Sequence, residues 1–170
     1  MCSSDLVPLQ VPIGAEAEFK GVVDLINMRG MVWNESDQGM TWEEVSIPAD
    51  LEETVQEWRN HLIEAVAESD EALMEKFFED PDSLTEAEIM TAIRKATISM
   101  SITPVLCGSA FKNKGVQTML NAVKAYLPSP VDIDAVEGTD PDSGETIIRR
   151  PDPDEPMAAL AFKIATDPYV

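Results

Sequence analysis

Cys107-Gly108-Ser109-Ala110-Phe111-Lys112-Asn113-Lys114-Gly115-Val116 lies between a continuous apolar run, Ile102 to Cys107, and an amphipathic segment. A continuous apolar run suits a buried strand of a parallel sheet, and Pro104 puts its own position at the start or on an edge. From Lys114 to Leu127, Val116, Met119, Leu120, Val123 and Leu127 share one face at helical spacing. Pro128-Ser129-Pro130 stops that helix. The ten residues are therefore a strand-to-helix loop, the position where ligands bind in open α/β sheets. Small residues let backbone N–H groups approach a ligand, and a helix N-terminus adds positive dipole character. Mechanism alone leaves Gly-Ser-Ala a common turn, with Ser109 equally readable as a helix-capping hydroxyl.

The rest of the chain is organised differently. Phe19 to Ile26 is rich in β-branched and apolar residues and predicts a strand, Met31-Val32-Trp33 a second, and Met40 to Ile47 a third after a turn at Asp37-Gln38-Gly39. Together they predict a small antiparallel sheet. Pro48 precedes a helix with Asp50 as N-cap and Glu53 as its capping-box partner. Leu51, Val55, Trp58, Leu62, Val66, Leu73 and Phe77 follow at helical spacing, with a fresh start readable at Ser69-Asp70-Glu71. After a turn at Pro81-Asp82-Ser83, a shorter helix spans Thr85 to Lys95, capped by Thr85 or Ser83. Residues 131 to 155 are rich in Pro, Asp and Gly and read as a linker with a turn at Asp142-Ser143-Gly144. Met157 to Ile164 begins another apolar strand. One strand and one helix cannot make a parallel sheet alone, so the chain reads as cut at both ends. The first six residues, MCSSDL, read as a non-native leader.

Charge narrows the function classes. The 170 residues carry 32 acids against 12 bases, a net charge of −20. Residues 43 to 90 hold 16 of those acids against only Arg59 and Lys76. Such a surface repels phosphate backbones, so direct nucleic-acid binding is not expected and a basic partner is favoured. No apolar run approaches 18 residues, so no membrane helix is expected, and a basic, apolar signal peptide is absent. Cys2 and Cys107 form no CxxC pair, which fits a reducing cytoplasm. His61, Trp58, Trp33 and Trp42 read as a helix-flank bystander, a core residue and two sheet-packing residues. No set of Asp, Glu, His and Cys has metal-ligand spacing.

GSAFKNKGVQ followed by LPSPVDI resembles the last guanine-contact motif and final helix of the GTPase domain in the elongation factor G family. The likeness extends from Val7 through VPLQVPIGAEAEFKGVVDLI, DQGMTWEE, IPADLEE, EKFFED and LAFKIATDPYV. It implies that residues 7–100 are an inserted G-prime subdomain and that 101–130 close the GTPase domain. It further implies a linker over 131–155 and the start of a second-domain β-barrel over 156–170. The implied fold is α+β: a small antiparallel sheet with acidic helices, plus the last strand and helix of a P-loop GTPase domain and the first strand of a barrel. By motif match, Ser109 and Ala110 would touch guanine through backbone amides, with Phe111 and Lys112 lining the base. GTP or GDP and Mg2+ would be cofactors of the full-length factor, a ribosome-dependent GTPase promoting translocation of tRNA and mRNA. The chain itself has no GxxxxGK[ST] loop, and Asn113-Lys114-Gly115-Val116 lacks the carboxylate of a base-reading Asn-Lys-x-Asp motif. Phosphoryl transfer needs the phosphate cradle, the metal and an oriented water. The fragment is therefore expected to contain no catalytic residue and to be inactive alone.

The acidic window has a pattern of its own. With Glu53 at zero on a helical wheel, Glu57, Glu64, Glu68, Glu71 and Glu75 fall within roughly 60° of it, if the helix is unbroken. Like charges four residues apart oppose helix formation, and a merely solubilising face more often mixes signs. The resemblance implies that Glu53, Glu57 and Glu64 belong to a face that docks on the ribosomal stalk protein. Two other readings compete: an acidic, non-catalytic protein-interaction module, and a related ribosomal-protection or release-factor GTPase.

Overall fold

The computed structural model describes residues 6–68, 71–80, 83–132, 135–159, 161 and 163–165. Two units divide at Leu127 and Pro128. The first is mixed α+β. Strands β1 (Leu6–Pro8) and β6 (Thr103–Val105) pair in parallel, Val7 opposite Pro104. Strands β2 (Gln10–Ile13), β3 (Gly21–Asp24), β4 (Arg29–Trp33) and β5 (Trp42–Val45) form an antiparallel sheet in chain order. Leu9 stitches the two sheets together. Its N–H donates to Val105 O at 2.9 Å and its carbonyl accepts from Leu25 N at 3.0 Å.

The described residues also form the α-helices α1 (Glu52–Ala67), α2 (Glu71–Glu79), α3 (Glu86–Ile98) and α4 (Val116–Tyr126). Helix α3 starts where the sequence says it should. Thr85 and Glu88 form a reciprocal capping box that satisfies two otherwise orphaned amides. Ile89, Ala92, Ile93 and Ala96 form its buried stripe. They meet Val55, Leu62, Ile63 and Val66 of α1, together with Val7, Leu9, Val23 and Leu25 from the strands. Arg59 reaches from α1 to the carbonyls of Leu25 and Ile26. Arg94 donates from α3 to Ala125 O and Leu127 O at 2.9 and 3.1 Å. A cation there satisfies terminal carbonyls and complements the helix dipole. A smaller cluster, Phe19, Val22, Met31 and Trp33, lies on the other face of the sheet with Cys107 against it.

Several expectations are corrected. Leu6, in a stretch that reads as neither strand nor helix, opens strand β1. The α1 N-cap is Leu51, with no side-chain cap bond, so the Asp50–Glu53 capping box does not form. Helix α1 ends at Ala67 with Glu68 as C-cap, so the acidic stripe is not one helix. Ser69, Asp70, Pro81 and Asp82 lie outside the described residues. Trp58 is exposed and stacks on His61, with centroids 5.6 Å apart and planes 13° apart, instead of entering the core. Trp42, opposite the buried Trp33, is also partly exposed.

Helix α4 departs most from expectation. Met119, Leu120, Val123 and Leu127 are 46% to 57% exposed, while Ala122, Ala125 and Tyr126 pack on the core. In the second unit, β7 (Val136–Thr139) and β8 (Thr146–Arg149) make an antiparallel hairpin where a linker is expected. Its turn is built by Asp140, whose carboxylate accepts from Asp142 N at 2.8 Å and Ser143 N at 3.1 Å. Those two amides hold the Asp140 carboxyl below its usual range. Among the described residues of 157–165 no strand forms.

Candidate functional site

Beyond β6 the backbone enters the 107–115 loop. Cys107 N–H donates to the Gln10 side chain at 3.1 Å, which anchors the loop's start to the sheet. Ser109 and Lys114 then pair across a tight reversal: Ser109 N to Lys114 O at 2.8 Å, and Lys114 N to Ser109 O at 3.0 Å. Asn113 N closes the turn on Ala110 O at 3.1 Å. Asn113 has φ 54 and Gly115 φ 83. Asn tolerates the left-handed region better than most residues, and Gly enters it without a Cβ penalty. A Cβ on Gly115 would stand 2.7 Å from Cys107 O, so glycine is needed there for space as well. Gly115 is the N-cap of α4, so Ser109 does not cap that helix.

Ser109, Ala110, Phe111 and Lys112 are thus brought together at the tip. Phe111 is fully exposed. The N–H groups of Ala110, Phe111 and Lys112 have no backbone acceptor among the described residues, whereas that of Ser109 is taken by Lys114. Of the two amides expected to face a base, only that of Ala110 is open. Lys112 Nζ donates to Ala17 O at 3.1 Å, which turns its ammonium toward the segment before β3.

The loop also rests on residues that sequence reasoning did not single out for function. Lys114 is 2% exposed. Its Nζ donates to Phe19 O at 2.9 Å and to Glu35 Oε1 at 2.8 Å. The Lys114 hydrogen bond and charge, with Lys112 and Lys20 nearby, pull the Glu35 carboxyl below its usual range. Gln117 bridges Trp33 Nε1 (3.1 Å) and Gly39 O (3.1 Å). Asn113 Nδ2 reaches Gly39 O at 3.4 Å. Gly39 has φ 74, and a Cβ there would lie 2.7 Å from Lys112 O. The sequence shows the 37–39 turn but carries no local sign of what it touches.

The acidic residues fall elsewhere. Glu53, Glu57 and Glu64 are all exposed on α1, the face opposite Val55, Leu62 and Val66. Glu75 belongs to α2. A cleft of about 230 Å³ lies between the sheet and helices α3 and α4, bordered by Asp24, Arg29, Trp42, Asn121 and Tyr126. Burial, with Asp24 and Glu86 nearby, pushes the Tyr126 hydroxyl up to about 12. Burial also raises the Cys107 thiol. Among the described residues no group of three or more His, Cys, Asp or Glu side chains could hold a metal ion. No described helix is long and apolar enough to cross a membrane.

By its fold, this is a mixed α+β segment in which a strand, a small-residue loop and a helix are joined to an acidic antiparallel-sheet module. Its sequence is similar to two curated proteins. Elongation factor G from Amoebophilus asiaticus (strain 5a2) is 62% identical over 164 residues, 96% of this chain and 23% of its own length. Elongation factor G from Cytophaga hutchinsonii is 59% identical over 170 residues, 100% of this chain and 24% of its own. Along its length the chain is similar to elongation factor G, and it spans about a quarter of the curated relatives it matches. A solved protein from Thermus thermophilus is similar in fold, with a TM-score of 0.62 over 75% of this chain and 19% of that one. At 24% identity that likeness speaks for the fold alone. No protein-family model matches the chain.

Proposed function

We propose that this chain serves as part of a ribosome-dependent GTPase of protein synthesis, which binds GTP or GDP with Mg2+ and promotes translocation of tRNA and mRNA. The observation carrying this reading is 59–62% identity to elongation factor G along the whole chain. Within that factor, residues 7–100 act as the G-prime insert, 101–130 close the GTPase domain, and 156–170 begin the second domain. The loop contributes to guanine recognition through the Ala110 amide, with Ser109 holding the turn closed and Phe111 and Lys112 beside the base. Exposed N–H groups next to a helix N-terminus suit a carbonyl oxygen or an anion. No phosphate loop is present in these residues, so the chain alone does not turn over GTP.

The acidic face of α1, with Glu53, Glu57 and Glu64, docks on the ribosomal stalk protein. The net charge of −20 favours a basic partner over nucleic acid. The reading as an acidic interaction module alone is not favoured, because the identity continues through the loop and α4. The decisive experiment replaces the matching segment of a full-length elongation factor G with this chain. Ribosome-stimulated GTP turnover should persist, and charge reversal at Glu53 and Glu57 should reduce it in a salt-dependent way. A folded chimera that binds GDP but has no ribosome-stimulated turnover would overturn the reading.

A further inference from the structure

Lys114 and Glu35 stand outside every role assigned so far, and the inference they carry rests on the reading of residues 109–112 as a guanine-contact loop. Lysine is almost never fully buried unless it is paired. Its ammonium loses solvation on burial, and that loss is offset only where good acceptors replace water. Lys114 Nζ has two, Phe19 O at 2.9 Å and Glu35 Oε1 at 2.8 Å, both from the sheet module. An apolar side chain would fill the space but would fix no direction. Around this pair, further ties from the loop region also end on the same module: Cys107 on Gln10, Lys112 on Ala17, Asn113 on Gly39, Gln117 on Trp33 and Gly39. The flanks of the turn are held, while the amides of Ala110 and Phe111 at its tip stay open. Donors fixed in place before the ligand arrives lower the ordering cost of binding.

We infer that Lys114 and Glu35 are positioning residues that clamp the 109–113 loop to the sheet module, so that the module sets the rate at which a guanine nucleotide leaves. Displacing the 34–41 turn then shifts the loop without any change at the loop itself. Three variants perturb the clamp by different physics. Glu35→Ala removes an exposed carboxylate, Lys114→Met keeps the buried stem and removes the ammonium, and Gly39→Ala forces a Cβ against Lys112 O.

Two readouts decide. In this chain, amide hydrogen exchange at Ser109, Asn113 and Lys114 reports whether the turn stays closed. In the full-length chimera, release of a fluorescent GDP reports the consequence. Glu35→Ala should lower the melting temperature by only a few degrees, and should speed exchange and GDP release roughly tenfold, the effect of one lost charge-assisted hydrogen bond. Lys114→Met should act in the same direction and more strongly. Glu35→Gln keeps the acceptor oxygen and should restore most of the wild-type release rate. Unchanged exchange and release in Glu35→Ala and Lys114→Met would overturn the clamp, as would a fall in melting temperature with release unaltered. If the chimera with the natural chain does not bind GDP, the guanine reading fails, and the exchange rates in this chain still decide whether the clamp exists.

Discussion

Helices α3 and α4 are both amphipathic in sequence, and the fold uses them in opposite ways. Helix α3 turns Ile89, Ile93 and Ala96 into the core and leaves Glu86 and Arg94 at its edges. Helix α4 packs through Ala122, Ala125 and Tyr126, and its larger apolar residues, Met119, Leu120 and Val123, face outward. Periodicity tells which residues share a face. It does not tell which face finds a partner, because that depends on elements distant in sequence or absent from the chain. Small residues on α4, Ala122 and Ala125, sit against the core beside the buried Tyr126.

The contrast can be broken most sharply at Ile93, which is fully buried. Ile93→Ala should cost about 3 kcal/mol of unfolding free energy through lost burial and a residual cavity. The urea midpoint of the chain should fall accordingly. Removing the α3 cap with Thr85→Ala should cost about 1 kcal/mol, since the Glu88 amide loses its hydroxyl acceptor while the backbone N–H of residue 85 keeps the Glu88 carboxylate; thermal unfolding measures it. Leu120→Ala on α4 should change stability by less than about 0.5 kcal/mol, as expected of an exposed position. Its effect belongs to association, so sedimentation at rising concentration should show less self-association than the natural chain.

Acid adds a weaker distinction. The Glu88 carboxyl is lowered from its ordinary 4.5 to about 2, first by the Lys76 hydrogen bond and then by the Thr85 backbone and side chain. Its folded value lies below its unfolded one, so its contribution is present above pH 4.5 and disappears as pH falls toward 2. Glu88→Gln should flatten the stability curve in that window, and acid titration followed by circular dichroism checks it. Because Glu88 is exposed, the effect is screened and small.

Much of this molecule was legible in its residues. Thr85, one of two caps the residues offered, announced α3, the Asp37–Gly39 turn announced the β4–β5 connection, and the 107–116 string marked the loop. The failures have physical reasons. Strand β1 pairs in parallel with β6 across nearly a hundred residues, and three-residue strands carry no periodic signal of their own. Ile147 and Ile148 sit in a stretch dominated by Pro, Asp and Gly, so composition hid the 136–149 hairpin. The α1 cap failed because the chain reaches the helix through a Pro48–Leu51 turn, Leu51 N donating to Pro48 O at 2.9 Å, which leaves Asp50 outside the cap position. At the candidate site the loop residues were readable, but the burial of Lys114 was not. Its partner Glu35 is 79 positions away, and a lysine in a polar string reads as solvated.

The most direct measurement is an NMR titration of the isotopically labelled chain with the ribosomal stalk protein at low and moderate salt. Saturable shifts confined to the α1 surface around Glu53, Glu57 and Glu64, weakened by salt, are the predicted result. A folded chain whose α1 resonances do not move at any stalk concentration would contradict the account.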